Sequence, residues 1–404
     1  MISKEFLKSG HTPTLASAFL YFDMSFMVWV MLGALGVQIA ASLGLDAAQK
    51  GFMVAVPVLA GALLRVVNGV LVDRIGPKLT GAICQIIVIA GLISAWFLGV
   101  DSYNKVLLLG IVLGVAGASF AVALPLASRW YPAKYQGVAL GIAGAGNSGT
   151  VLASLFAPSL AKAYGWQNVI GMAAVPLIVA FIVYLIFAKD SPEQPAPKKL
   201  PEYMDVLKTG DAWWFMAFYG VTFGGFVGLS SSLTIYFNTE YGLPAVTAGF
   251  FTAACVFAGS FLRPVGGALA DKFGGIRTLS VTYLAAAAAL ILISFRLPTA
   301  AICLPVAIAC MGALGMGNGA VFQLVPQRFR KEIGVMTGLV GMFGGVGGFY
   351  LASTLGLSKK LTGTYQLGFL GFAILALAAF AGLALIKQRW RMNWLSASPT
   401  PVQA

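Results

Sequence analysis

The sequence predicts an all-α integral membrane protein of twelve transmembrane helices, arranged as two pseudo-symmetric halves of six. Three observations carry that prediction. Of 404 residues, 59% are hydrophobic and only 10% charged, against about 25% charged in a soluble domain. Apolar runs of about 20 residues, each long enough as a helix to cross a hydrocarbon core of about 30 Å, recur along the chain. The second half also repeats the first.

The spans fall at 14–42, 49–73, 78–100, 104–130, 134–161, 167–188, 212–240, 244–270, 275–296, 299–325, 332–358 and 363–388. Connections are short except for "KDSPEQPAPKKLPEYMDVLKTGD", rich in proline and charge, after the sixth span. It divides the chain into an N-terminal half (1–188), a linker (189–211) and a C-terminal half (212–404). No stretch remains for a soluble catalytic module. No nucleophile–base pair, metal-ligand cluster or cofactor motif stands out, so neither an enzyme nor a bound metal or cofactor is expected. The first apolar stretch is longer than the core of a signal peptide, about 7–15 residues, and is read as a span. Cys84, Cys255, Cys303 and Cys310 lie inside apolar runs without metal-like spacing and read as small buried hydrophobes.

The net charge of +13 would suit a nucleic acid, but the positions of the cations argue against that partner. Both chain ends, the linker (Lys189, Lys198, Lys199, Lys208) and the loops at Arg74/Lys78, Arg129/Lys134, Lys272/Arg277 and Arg328/Arg330/Lys331 fall on one side of the twelve spans. Lys50, Lys105, Lys162, Arg296, Lys359 and Lys360 fall on the other. By the positive-inside rule the crowded side, with both termini, is cytoplasmic.

Displacing the chain by 198 residues lays the second span on the eighth, matching Gly51 to Gly249, Gly61 to Gly259, Arg65 to Arg263, Gly69 to Gly267, Asp73 to Asp271 and Gly76 to Gly274. A shift of 197 matches the fifth span to the eleventh at Gly137/Gly334, Gly141/Gly338 and Gly144/Gly341. Six spans return the chain to its starting side, so the repeat is parallel. Such halves relate by an axis along the membrane normal, with substrate bound near the midplane between them, as in major facilitator transporters. The loops "GVLVDRIGPK" and "GALADKFGGIR" fit that superfamily's pattern; Asp73, Arg74 and Asp271 are expected to form a cytoplasmic latch of ion pairs.

The repeat places Arg65 and Arg263 inside apolar runs. An arginine at the centre of a membrane helix costs about 2.5–3.5 kcal/mol and faces the bundle interior with a partner. None of the 13 acidic residues stands out as that partner: all but Asp23 fall in tails, loops or span ends, and Asp23 is read in the cytoplasmic half of the first span. The simplest counter-ion is an anionic substrate, for which the planar, permanently charged guanidinium fork is suited. A competing role is hydrogen bonding to carbonyls freed at Pro264 or at glycine kinks.

The fifth span carries "GVALGIAGAGNSGTVLASLFAP" and the eleventh "GVMTGLVGMFGGVGGFYLAS". Their glycines, among them Gly141, Gly144, Gly146, Gly338, Gly341, Gly344 and Gly345, make smooth strips on which a neighbouring backbone can come close. The match of "GAGNSG" to a dinucleotide loop is discounted, because no strand precedes it. Asn147 interrupts the strip with an amide donor. Phe26, Trp29, Phe120, Tyr219 and Phe223 supply rings at similar depth; Tyr219 and Phe223, four apart, share a helix face able to stack on a flat ion.

The paired arginines, with the "GNSG" and "GGVGGFY" segments, resemble the nitrate/nitrite porter family of the major facilitator superfamily. That resemblance implies nitrate held between Arg65 and Arg263, lined by Asn147, Tyr219, Phe223, Phe120 and Phe26, with the glycine strips sliding as the halves rock. Nitrate and nitrite are then the partners of a monomer in the lipid bilayer of a bacterial inner membrane. Two facing cations repel until an anion bridges them, which favours nitrate/nitrite exchange over proton symport; the only histidine is His11, in the N-terminal tail. Proton-coupled nitrate symport, carriage of another small anion and a non-transporting anion receptor are the competing readings.

Overall fold

The computed structural model describes residues 4–192, 205–329 and 333–395. Residues 193–204 of the linker, with Lys198 and Lys199, lie outside them, as do Arg330, Lys331 and Glu332 and the side chain of Lys134. No strand occurs among the described residues. We number the helical spans α1 (12–43), α2 (Ala47–Ile75), α3 (Pro77–Leu98), α4 (Tyr103–Ser128), α5 (133–164), α6 (Trp166–Phe187), α7 (Gly210–Tyr241), α8 (Ala245–Phe273), α9 (Gly275–Ser294), α10 (Ala300–Arg328), α11 (Ile333–Thr362) and α12 (Gln366–Trp390). Eleven have the length and hydropathy to cross a membrane. The other, α1, runs as three stretches, Thr12–Trp29, Met31–Ala34 and Gly36–Leu43, the second break flanked by Gly33 and Gly36.

Local chemistry sets the ends. The Asp46 carboxylate accepts from the Gln49 amide, and the Gln49 side chain accepts from the Asp46 amide, a reciprocal cap that starts α2. Repeat-related Gly76 and Gly274 reverse the chain after α2 and α8 with φ of 85° and 91°, a conformation that strains any residue with a Cβ. The same turn is thus built twice from the same glycine.

The halves meet where side chains are smallest. A Cβ on Gly51 of α2 would stand 2.7 Å from Gly356 Cα on α11, and one on Gly249 of α8 would stand 2.7 Å from the Ser154 carbonyl oxygen on α5. Gly33 of α1 lies against the Ser231 backbone of α7. Pairs α2/α11 and α8/α5 exchange under the repeat, and α1 exchanges with α7, so the contacts respect the pseudo-two-fold expected from the sequence.

These contacts seal the face opposite the basic one, where Lys360 of α11 also pairs with Asp46 of the α2 cap at 3.0 Å. On the basic face the halves part. A crevice lined by Arg65, Gly69, Asp73, Pro125 and Arg129 from one half and Gly334, Thr337 and Gly338 from the other leads inward to Arg65. Nothing lies within 4 Å of the Cβ position of Gly69, Gly141, Gly334 or Gly338. Outward-facing Leu63, Val67, Phe97, Val175, Ile186 and Leu385 form an apolar exterior.

Candidate anion-binding site

Arg65 is fully buried at the inner end of the crevice. It lies ten residues before the basic end of α2, roughly 15 Å deep at about 1.5 Å per residue. Its Nε donates to the Gly117 carbonyl at 3.2 Å and its Nη1 to the Gly341 carbonyl at 2.6 Å, while Nη2 has no partner. The competing role foreseen for these arginines is therefore partly realised: glycine carbonyls on α4 and α11 do receive Arg65. Carbonyl dipoles orient a guanidinium but leave its charge uncompensated. Among the described residues neither Arg65 nor Arg263 forms an ion pair.

The two cations share one ring. The guanidinium carbon of Arg65 stands 5.1 Å from the Phe120 centroid and that of Arg263 stands 5.9 Å from it. Arg65 also lies 4.9 Å from Phe223 and 5.4 Å from Trp29, and Arg263 lies 5.6 Å from Phe322. Electron-rich ring faces ease the burial of a cation without neutralising it. Tyr219 stacks on Phe223 with centroids 5.0 Å apart and meets Phe322 edge-on at 5.0 Å. Its hydroxyl is close enough to both guanidiniums to interact with their charge, and it has no well-aligned hydrogen bond.

The α5 strip completes the wall. The helix tightens into a short 3₁₀ turn at Ala145–Ser148, which carries Asn147. The Asn147 side chain is 1% exposed, yet neither its Nδ2 nor its Oδ1 has a partner. One turn away, a Cβ on Gly144 would stand 3.9 Å from the Arg263 guanidinium. Arg65 Nη2, Arg263 Nη1, Tyr219 Oη and Asn147 Nδ2 are thus buried donors without acceptors. Each such group costs about 1–3 kcal/mol, more when charged, so the site holds four donors that call for an acceptor.

Of the residues the sequence singled out, the structure brings together Arg65, Arg263, Asn147, Tyr219, Phe223 and Phe120. Phe26 stands further back, packed on Phe22 at 4.3 Å and Trp29 at 4.7 Å. Two features were missed: Phe322, which faces Arg263, and the Gly341 carbonyl, which receives Arg65. An aromatic in an apolar helix has no signature in sequence, and a carbonyl has none at all. Of the strip glycines, Gly146 packs on Phe22, Gly344 on Tyr219 and Phe223, and Gly345 on Ala62; Gly341 borders Arg65, while Gly141, Gly144 and Gly338 border open space or Arg263.

The latch differs from expectation. Asp73 pairs with Arg129 of its own half at 2.8 Å, while neither Arg74 nor Asp271, both exposed, forms an ion pair among the described residues. The partner comes from the end of α4, a tertiary neighbour that sequence proximity does not reveal.

These features describe a two-half membrane carrier with a cationic site between the halves, and comparison with known proteins agrees. The Major Facilitator Superfamily model matches residues 17–352. The chain is 33% identical over 369 residues to the nitrite extrusion protein of Bacillus subtilis (strain 168), covering 91% of this chain and 92% of that one. It is 31% identical to the probable nitrate/nitrite antiporter NarK1 of Thermus thermophilus, covering 91% and 89%. It is 34% identical to the probable nitrate transporter NarT of Staphylococcus carnosus (strain TM300), covering 91% and 92%. Among solved structures it resembles a bacterial homologue of the human lysosomal transporter Spinster in an inward-facing and occupied conformation, with TM-score 0.71 and 18% identity over 96% of this chain and 98% of that one. That likeness is one of fold. The chain belongs to the Major Facilitator Superfamily and, within it, to the nitrate/nitrite porter family; it is a transporter rather than an enzyme.

Proposed function

We propose that this protein carries nitrate and nitrite across the membrane by alternating access, chiefly by exchanging one for the other. The observation that carries this reading is the pair of repeat-related arginines, Arg65 buried and Arg263 partly buried, which lack carboxylate partners among the described residues and converge on Phe120 near the unpaired amide of Asn147. The names of the relatives, which refer to nitrite extrusion, nitrate transport and nitrate/nitrite antiport, support the choice of anion. Arg65 and Arg263 belong to opposite halves, so a bound anion draws the halves together, while an empty site sets two like charges against closure. A carrier that closes when loaded and resists closing when empty favours exchange. The glycine strips are the surfaces on which α5 and α11 shift, and the Asp73–Arg129 pair holds the basic end of the N-terminal half. We place the basic face in the bacterial cytoplasm by the positive-inside rule, which makes the observed state inward-facing, and take the monomer, ringed by lipid, as the working unit.

The test is nitrate uptake into proteoliposomes preloaded with nitrite or left empty, for the wild type and for Arg65→Lys and Arg263→Lys. Uptake stimulated by internal nitrite and lost in both variants is expected. Equal transport by the lysine variants would sink the clamp, and transport of formate in preference to nitrate would sink the choice of substrate.

A further inference from the structure

One buried titratable group is not used by this scheme. Asp23 lies eleven residues into α1, roughly 16 Å from its basic end at about 1.5 Å per residue, which is the depth of Arg65. It lies in the half of α1 nearer the basic face, where the sequence reading put it. It is 6% exposed. Its Oδ1 accepts from the Ser148 hydroxyl at 2.5 Å, and the Gly149 amide also donates to it. Ser148 is the residue after Asn147, so the carboxylate borders the anion site without occupying it. Among the described residues no cation pairs with it; its hydrogen bonds come from Ser148 and Gly149.

The surroundings are otherwise neutral. Tyr21 of its own helix lies close to Cys84 of α3 and Tyr184 of α6, and Ser25 and Gln85 bond each other at 3.2 Å; Lys78 of α3, Tyr103 and Lys105 of α4, and Tyr135, Lys162 and Tyr164 of α5 lie near their helix ends. Arg129 and Lys189 stand at the basic ends of α4 and α6. Phe22 of its own helix lies 5.8 Å, centroid to centroid, from Phe120, the ring that both Arg65 and Arg263 face. The Ser148 contact can be satisfied in either protonation state, because a hydroxyl donates to a carboxylate and accepts from a carboxyl.

We propose that Asp23 is a proton-binding site coupled to the anion site, giving the carrier a second cycle in which nitrate enters with a proton. The argument rests on the anion-site reading above and follows from charge. Empty, with Asp23 ionised, the cavity region holds two guanidiniums and one carboxylate. Loaded, with Asp23 protonated, it holds two guanidiniums and one nitrate. The net charge is the same, so both states can close, whereas the empty state with Asp23 protonated keeps the two cations uncompensated and stays open. The proton joins the Asp23 carboxylate where nitrate loads and leaves it to water where nitrate is released. Without internal anion the carrier returns by way of the ionised carboxylate; with internal nitrite it can return by exchange instead.

The test uses proteoliposomes with trapped pyranine and the membrane potential clamped. Adding nitrate outside empty wild-type vesicles should acidify the lumen together with nitrate uptake. Asp23→Asn should abolish acidification and empty-vesicle uptake while nitrite-loaded vesicles still exchange. Acidification that persists in Asp23→Asn, or wild-type vesicles that exchange nitrate for nitrite but, when empty, show no acidification on adding nitrate, would overturn the proton site and leave the nitrate reading standing. Wild-type vesicles that move no nitrate under any loading would overturn both. If Asp23→Asn fails to fold, Ser148→Ala decides: it keeps the carboxylate and removes its hydroxyl partner, so the pH profile of empty-vesicle uptake must shift, and an unchanged profile overturns the proposal.

Discussion

At the scale of the residue, the site is defined by donors that lack acceptors. A hydrogen bond to a charged group contributes about 1.5–3 kcal/mol, so Asn147→Ala and Tyr219→Phe should each weaken nitrate binding by roughly tenfold to a hundredfold, at 1.4 kcal/mol per decade. Tryptophan-quenching or calorimetric titration would show it; Kd values within about twofold of wild type would remove that residue from the site. The arginines were legible in the sequence because a charge inside an apolar run is costly and conspicuous. Asn147 was legible for the same reason in weaker form. Phe322 was not, since one of 28 phenylalanines in an apolar chain carries no mark of its neighbours. Asp23 was visible and its half of the first span could be read, but its partner Ser148, on another helix, could not.

At the scale of the element, the two glycine strips meet two kinds of environment. Gly347 of α11 packs against the Gly220 carbonyl of α7, and Gly344 lies under Tyr219 and Phe223, whereas Gly141 and Gly338 border open space. Gly347→Ala should therefore cost about 1–3 kcal/mol through overpacking, lowering the melting temperature in detergent. Gly141→Ala should leave it unchanged in the state described here and slow turnover, because its strip must be covered when the basic face closes. A melting temperature lowered equally by both would contradict the asymmetry.

The tie at the start of α7 gives a second element-scale prediction. Buried Asp211 accepts from Arg328 Nε at 2.6 Å and from Trp390 Nε1 at 2.9 Å, joining α7, α10 and α12. Asp211→Ala leaves both donors unanswered and should destabilise the C-terminal half by about 2 kcal/mol, less than for a sealed pair because Arg328 can still reach water. Thermal unfolding measures it. At the other end of the chain, the His11 ring caps α1 by accepting from the Thr14 amide at 3.2 Å. Burial, then Lys189, hold its pKa below the ordinary 6.5. The folded state thus favours the neutral ring, so this cap contributes fully above pH of about 6.5 and is lost as pH falls through the lowered value. Amide exchange at Thr14 should quicken on acidification, and an unchanged rate would exclude the cap.

At the scale of the whole molecule, the twelve spans and the repeat could be read from the sequence because both are long-range patterns imposed by a bilayer and by duplication. Which face is open could not, since the strips present glycine to both gates and only packing decides which is filled. The observed state exposes Thr337 to the crevice and buries Ser154 against α8. In a background with the four buried cysteines replaced, Thr337→Cys should react with a water-soluble maleimide from the basic side when no anion is present. Ser154→Cys should react from the opposite side only after the halves have rocked. If two uncompensated arginines hold the empty carrier open, Ser154→Cys combined with Asp23→Asn should stay unlabelled without anion and become labelled when nitrate is added. With Asp23 intact, anion-free labelling of Ser154→Cys should appear as the carboxylate ionises, since the returning empty carrier then has its counter-charge. Mass spectrometry of the adduct reads each case. Rapid anion-free labelling of the Asp23→Asn protein would mean that repulsion between Arg65 and Arg263 does not govern closure, and the physical basis for exchange would have to be sought elsewhere in the fold.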